Sequence, residues 1–164
     1  MAVRLLLISD THIPGRAREL PPAVRRAADA ADLIVHAGDW VRESVLEDLQ
    51  GHGEVLGVWG NNDGDDLRAR LPEIARRTIE GVRVAVIHET GDARSRERRM
   101  AAAFPDTDVL MFGHSHIPWD TTTPSGLRLL NPGSPTDRRR QPRHTYLTLV
   151  IDDGAVRDVD LIAL

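Results

Sequence analysis

Short apolar segments alternate with helix-forming segments in the first half of this chain. Residues 3–9 are aliphatic and β-branched, with almost no alternation of polar positions, which is the pattern of a strand buried on both faces. Residues 32–37 and 54–59 have the same character. Helices are predicted over residues 21–31, 44–50 and 65–71. This order of strands and helices predicts an α/β fold with parallel strands and right-handed crossovers.

The second half of the chain is arranged differently. Strands are predicted at residues 82–88, 108–112, 127–130, 145–151 and 155–162, with one helix at 94–104. The last two strands flank an Asp-Asp-Gly turn and predict a hairpin. A mixed α/β domain with two sheets fits this pattern better than one doubly wound sheet. The chain has 164 residues and no repeat or linker, so residues 1–164 are expected to form a single domain.

The composition excludes several kinds of chemistry. The chain has no cysteine, which excludes disulfides, thiolate metal sites and cysteine nucleophiles. All 21 basic residues are arginine, which excludes lysine Schiff bases and a P-loop lysine. The net charge of −4 argues against a nucleic acid partner, and no apolar run approaches the ~20 residues of a membrane span. Residues 1–8 also lack the long apolar stretch and cleavage site of a signal peptide, so we expect a cytoplasmic protein with no membrane partner.

Five of the predicted strands end in polar residues of a few kinds. Ligands of open α/β sheets collect beyond the carboxyl ends of the strands, so these side chains are expected to lie close together. Imidazole and carboxylate groups suit Zn, Mn, Fe or Ni rather than Ca. Seven ligands are too many for one tetrahedral ion, whereas two ions that share a bridging carboxylate would use them all. The candidate metal ligands are Asp10, His12, Asp39, Asn61, His88, His114 and His116.

Each of these short motifs is ordinary when taken alone. Gly-Asp and Asn-Asn-Asp-Gly are common turn sequences, and a single His at a strand end is more often a hydrogen-bonded structural residue than a ligand. The joint arrangement, always at strand ends, favours the metal-site interpretation. Among the remaining residues, His36 is expected to be structural, His52 to be exposed and Trp40 to cap the core.

The motifs that contain these seven candidate ligands, taken in chain order from Asp10 to His116, resemble those of the calcineurin-like metallophosphoesterases. The resemblance is strongest to the small single-domain, YfcE-like phosphodiesterase branch. The turn at residues 131–134, Asn-Pro-Gly-Ser, also resembles a late turn of that branch. The resemblance implies a four-layer αββα sandwich, in which two mixed β-sheets pack face to face with helices outside. It also implies two metal sites, both of which include Asp39 as a bridge. The first comprises Asp10, His12, Asp39 and His116, and the second comprises Asp39, Asn61, His88 and His114.

The implied function is hydrolysis of a phosphodiester through a metal-bridging hydroxide, with two divalent transition-metal ions as cofactors. Manganese is the favoured metal, and Ni, Fe, Co and Zn are alternatives. Asn62 and Asp63 are the predicted catalytic residues. Many members of the wider superfamily have a His in place of Asn62, and an amide can donate a hydrogen bond but cannot deliver a proton. We therefore predict weak activity on esters with poor leaving groups.

The predicted substrate is a small phosphate ester. Asn62 is expected to contact it, and so are Arg138 and Arg143 if their loop folds over the site, because guanidinium groups bind phosphate well. Two alternatives remain open. One is a phosphomonoesterase or a nuclease on the same site, and the other is a protein-interaction scaffold of the same fold with weak catalysis. A homo-oligomer also remains open, since an exposed strand edge could pair with a second copy.

Overall fold

The computed structural model describes residues 1–164 and contains two five-stranded sheets. Strands and helices are numbered in chain order. The first sheet has the order β10-β9-β1-β2-β3 and consists of β1 (Val3–Ile8), β2 (Leu33–His36), β3 (Val55–Gly57), β9 (Thr145–Asp152) and β10 (Ala155–Ala163). The second sheet has the order β4-β5-β6-β8-β7 and consists of β4 (Ile74–Ile79), β5 (Val82–Ile87), β6 (Val109–Met111), β7 (Trp119–Thr122) and β8 (Arg128–Asn131). The helices are α1 (Pro22–Ala30), α2 (Glu43–Gln50), α3 (Asp65–Arg70) and α4 (Arg96–Ala103).

Both sheets are mixed. In the first, β1, β2 and β3 run parallel, and the β9–β10 hairpin adds to β1 in the antiparallel direction. In the second, β5, β6 and β8 run parallel between the antiparallel edge strands β4 and β7. The expected two-sheet α/β class is therefore confirmed.

Three apolar clusters account for the layers. Leu5 and Leu7 of β1 join a cluster of 17 buried residues that lies between the two sheets. Leu6 and Ile8 point the other way and pack with α1 and α2. A third cluster packs Met100 of α4 against the outer face of the second sheet. The first strand is buried on both faces, which explains its continuous apolar sequence.

Two strands were not predicted, and both are edge strands of the second sheet. The β4 strand carries three polar residues in succession after Ala75, and only Ala75 and Ile79 are buried. The β7 strand has no fully buried residue. An edge strand needs only partial burial, so its sequence carries a weak apolar signal. None of the four helices is both long and apolar enough to span a bilayer.

Candidate metal centre

The polar ends of strands from both sheets meet at one edge of the packed sheets. Backbone hydrogen bonds connect the loops that follow β1 and β2: Asp10 N–H donates to Gly38 O at 2.9 Å, and His12 N–H donates to Asp39 O at 3.1 Å. The Gly113 N–H donates to His88 O at 2.8 Å, which connects the ends of β5 and β6. The seven candidate ligands therefore stand on loops that fix one another's positions.

The first cluster of ligand atoms consists of Asp10, His12 and His116, whose atoms all lie within 4.8 Å of one another. The Asp10 Oδ1 atom is 3.5 Å from His116 Nε2 and 4.0 Å from His12 Nε2. Asp10 and His116 are almost completely buried. Two imidazoles and a carboxylate thus face one small volume that solvent barely reaches.

The second cluster consists of Asp39, His88 and His114, again within 4.8 Å. Asn61 also belongs to this group, because its Oδ1 atom is 2.9 Å from His88 Nε2 and 3.1 Å from His114 Nδ1. His88 Nδ1 donates to the Ala37 carbonyl at 2.8 Å, which directs the Nε2 atom at the cluster. All four side chains offer nitrogen or oxygen donors.

Asp39 stands between the two clusters. Its Oδ2 atom is 3.4 Å from His12 Nε2 in the first cluster and 3.4 Å from His88 Nε2 in the second. Asn62 holds the carboxylate from the outside, with its backbone N–H 2.9 Å from Oδ1 and its side-chain amide 2.8 Å from Oδ2. This carboxylate is therefore placed to serve both clusters.

The first cluster contains polar atoms that need a further partner. Asp10 Oδ1, His12 Nε2 and His116 Nε2 are the buried side-chain atoms without a hydrogen-bond partner. An unpaired buried polar atom lowers the free energy of unfolding by roughly 1–3 kcal/mol, so three such atoms in one place destabilise the metal-free protein considerably. A cation bound among them would satisfy all three, and nitrogen and oxygen donors of this kind suit divalent transition metals.

Backbone strain is concentrated at the same residues. Five of the seven candidate ligands have positive φ angles in the left-handed region, a backbone conformation that residues other than glycine seldom adopt. Such strain costs on the order of 1–3 kcal/mol per residue and is typical of functional sites. The φ angles are 57° for Asp10, 46° for His12, 62° for Asp39, 73° for His114 and 62° for His116.

Two glycines allow the loops to approach so closely. A Cβ atom on Gly60 would collide with the Asp39 carboxylate, and one on Gly113 would collide with the Ser9 hydroxyl and the Asp10 carboxylate. Any side chain at either position would displace a candidate ligand.

The pKa values of the Asp and His residues shift in opposite directions in the two clusters. In the first, burial raises the pKa of Asp10 to about 7 and lowers the pKa of His116 to about 4. In the second, burial acts on both partners of an ion pair. Even so, hydrogen bonds and charge from His88 hold the pKa of Asp39 well below its usual range, and Asp39 and Asp10 raise the pKa of His88 to about 9. Without metal, His116 is neutral at pH 7 and offers a free lone pair, while His88 carries the proton that a cation would replace.

Several supporting residues were not singled out from the sequence. The Ser134 hydroxyl donates to the Asp10 carbonyl at 2.8 Å and accepts the Asp137 N–H at 2.8 Å. The Thr136 hydroxyl donates to the Thr11 carbonyl at 2.6 Å, and the Asp137 carbonyl accepts the His116 Nδ1 proton. The turn at residues 131–134 was the only signal in the sequence for this role.

Asp63 lies beneath the site rather than at its surface. It is 3% exposed, and its two oxygens accept three backbone N–H groups, from Asp39 at 2.9 Å, Val41 at 2.7 Å and Gly60 at 2.8 Å. These bonds shape the loops that carry Asp39 and Asn61. A catalytic role for Asp63 stays a prediction, and the contacts show a structural one.

The arginine loop stands further out. Arg138 and Arg143 are exposed, and the Arg138 guanidinium donates to the Gln141 carbonyl at 2.7 Å within its own loop. Their contact with substrate stays a prediction. Arg139, between them, is close enough that its charge adds to burial in lowering the pKa of His12 and His116.

The other aromatic and His residues are largely where they were expected. His36 is buried, stacks on Trp40 with ring centroids 3.6 Å apart and contacts the Thr11 hydroxyl at 3.1 Å, which is a structural role. Trp40 is buried in the core. His52 differs from expectation, because its side chain is only 17% exposed and lies against Asp29 and Asp48.

Comparison with known proteins identifies the family and the fold of this chain. Residues 3–154 match the calcineurin-like phosphoesterase superfamily domain. A probable metallophosphoesterase of Methanothermobacter thermautotrophicus is 38% identical over an alignment of 165 residues, and the alignment covers 95% of this chain and 90% of that protein. The solution structure of Thermotoga maritima protein TM1076 is 34% identical, with a TM-score of 0.77 and 99% of both chains covered.

More distant structures share the fold. Vps29 from Entamoeba histolytica, in a crystal structure with Zn²⁺, has a TM-score of 0.76 at 21% identity, with 98% of both chains covered. Together, the family match and the two ligand clusters indicate a site for divalent metal ions. This chain belongs to the calcineurin-like phosphoesterase superfamily.

Proposed function

We propose that this protein is a phosphodiesterase that depends on two divalent transition-metal ions. The observation that carries the proposal is the position of Asp39, whose Oδ2 atom lies 3.4 Å from a His of each cluster. A carboxylate in that position allows the two clusters to act as one binuclear centre. The proposed first site comprises Asp10, His12, Asp39 and His116, and the second comprises Asp39, Asn61, His88 and His114.

Manganese is the proposed metal, since the donor set combines imidazole, carboxylate and amide oxygen without any thiolate. Two bound ions would supply positive charge to a phosphoryl group and would make a nearby water acidic enough to attack it near neutral pH. The protein prepares for them with fixed tautomers, because His88 and His116 each donate Nδ1–H to a backbone carbonyl and direct Nε2 inwards.

Asn62 determines which esters react well. Its amide is held against Asp39 at the open side of the site, where it can donate a hydrogen bond to a phosphate or leaving-group oxygen. It cannot protonate a departing alkoxide, so the leaving group must carry its own negative charge. Diesters with acidic leaving groups, such as nitrophenyl esters, are therefore the proposed preferred substrates.

A panel of metals and substrates tests the proposal. The chain is freed of metal, reloaded with Mn, Ni, Co, Mg or Zn, and assayed on bis(4-nitrophenyl) phosphate, 4-nitrophenyl phosphate and a short oligonucleotide. We expect about two ions per chain and fastest turnover of the diester with Mn. Faster turnover of the monoester or the oligonucleotide would favour the alternative enzymes. Two ions without hydrolysis would favour a scaffold, and no bound metal would refute the proposal.

A further inference from the structure

A cavity of about 360 Å³ opens beside the second cluster. Asn61 and His88 belong both to the cluster and to the cavity wall, so the two spaces are continuous. The remaining wall comes from the end of β3, the edge strand β4, the end of β5 and the end of α4. A group attached to a phosphoryl centre held at the cluster could therefore enter this cavity.

Half of the residues that line the cavity are hydrophobic. Ile74, on the edge strand, is 43% exposed although it is a large aliphatic residue. Ile87 and Phe104 form buried parts of the wall. Trp59 also lines the cavity, and the Arg68 guanidinium covers its ring at 4.1 Å from the centroid. Apolar surface that remains open next to a polar site is typical of a ligand pocket.

The charged residues of the wall are mostly acidic. Glu73 and Glu89 both line the cavity, and Glu89 Oε2 lies 3.2 Å from His114 Nε2. Arg76 is the only arginine of the wall, and it contacts the Phe104 ring at 5.1 Å and the Thr107 hydroxyl at 3.5 Å. A second anionic group that extended into this cavity would meet the carboxylates of Glu73 and Glu89.

We propose that this cavity binds one of the organic groups that are esterified to the substrate phosphate. This group is aromatic or otherwise apolar and carries no negative charge. The inference rests on the proposed function, because the phosphoryl group must bind at the clusters for its ester group to reach the cavity. The volume falls in the range of small-molecule pockets and accommodates one or two rings. Because of the same two carboxylates, we expect polyphosphates and nucleoside triphosphates to be poorer substrates than esters with an uncharged group.

Phosphonates provide the test, because they have one organic group and are not hydrolysed. Binding of phenylphosphonate, methylphosphonate and phosphonoacetate to the manganese-loaded protein is measured by isothermal titration calorimetry. We expect phenylphosphonate to bind about tenfold more tightly than methylphosphonate, as partial burial of one ring would give. Phosphonoacetate, which adds a carboxylate, should bind no more tightly than methylphosphonate.

Matched variants locate the effect. Trp59→Ala and Ile74→Ala should each reduce the preference for the phenyl compound severalfold while leaving methylphosphonate affinity unchanged. Leu161→Ala removes an equally exposed aliphatic residue from β10, outside the cavity, and should preserve the preference. Glu73→Gln should strengthen phosphonoacetate binding severalfold, and Asp153→Asn at the distant hairpin turn controls for the change in net charge.

The outcomes separate this inference from the proposed function. Equal affinity for the phenyl and methyl compounds would overturn the cavity assignment while leaving the hydrolase intact. A preference that survives both Trp59→Ala and Ile74→Ala would also overturn it, because the ring would then bind elsewhere. If no phosphonate binds to protein that holds two ions, both the cavity assignment and the proposed function are wrong.

Discussion

Replacement of Asp63 by Asn distinguishes a structural role for this residue from a catalytic one. In the folded protein Oδ2 accepts the N–H groups of Asp39 and Gly60, and Oδ1 accepts that of Val41. An Asn side chain has one acceptor oxygen, so it can preserve two of these bonds and must turn its own N–H groups towards the third donor. The two bonds that remain also lose the charge of the carboxylate.

The expected cost follows from these contacts. A hydrogen bond to a charged group contributes about 1.5–3 kcal/mol, and the loss of one such bond with weakening of two others amounts to about 3 kcal/mol. Total stabilities of about 5–15 kcal/mol leave the variant folded. In urea, with a slope of about 2 kcal/mol per molar, the unfolding midpoint of the metal-free protein should fall by about 1.5 M.

The control is Asp66→Asn, an exposed carboxylate in the first turn of α3, whose loss should cost less than about 0.5 kcal/mol. Manganese affinity should also fall in Asp63→Asn, because the loop that carries Asp39 is loosened. An unchanged urea midpoint and unchanged metal affinity, together with lost hydrolysis, would refute the structural argument and make Asp63 a catalytic group.

Three further predictions concern the metal centre and its chemistry. Asp39→Asn should lower manganese-dependent turnover more than any other ligand change, by at least about a hundredfold. The control His52→Ala, remote from the site, should leave turnover within about twofold. Equal effects of the two changes in a metal-loaded assay would place the site elsewhere. Manganese affinity, measured by calorimetry, should rise between pH 6 and pH 8. The reason is that Asp10, with its pKa raised to about 7, and His88, with its pKa raised to about 9, must lose protons before they can bind a cation; a flat profile would contradict this. Because Asn62 cannot donate a proton, nitrophenyl diesters should react at least about a hundredfold faster than alkyl diesters, and similar rates would show that another group protonates the leaving oxygen.

The fold was predictable where strands are buried on both faces. In β1, Leu5 and Leu7 belong to one apolar layer, and Leu6 and Ile8 belong to another. Because both faces must be apolar, the continuous apolar sequence identifies this segment as a buried strand. The edge strands β4 and β7 were not predicted, because they are only partly buried and therefore contain few apolar residues.

The candidate site followed from residue type and position at strand ends, but the supports did not. Ser134 and Asp63 act through backbone groups of distant loops, and a hydroxyl or carboxylate that binds a backbone leaves no pattern in its neighbours. The cavity beside His88 combines residues from four separate elements, and only two of these residues, Asn61 and His88, were predicted as site residues.

The amino-acid sequence alone determined the kind of chemistry available, because a chain without cysteine or lysine and with imidazoles and carboxylates at strand ends offers few donor sets. Only the tertiary structure decided the distances from Asp39 to the two clusters, the left-handed backbone of five ligands, and the acidic, partly apolar cavity beside them. The physical reason is that residue types are local properties of a chain. Distances of a few ångströms between residues far apart in sequence arise only when two sheets pack and their loops bind one another.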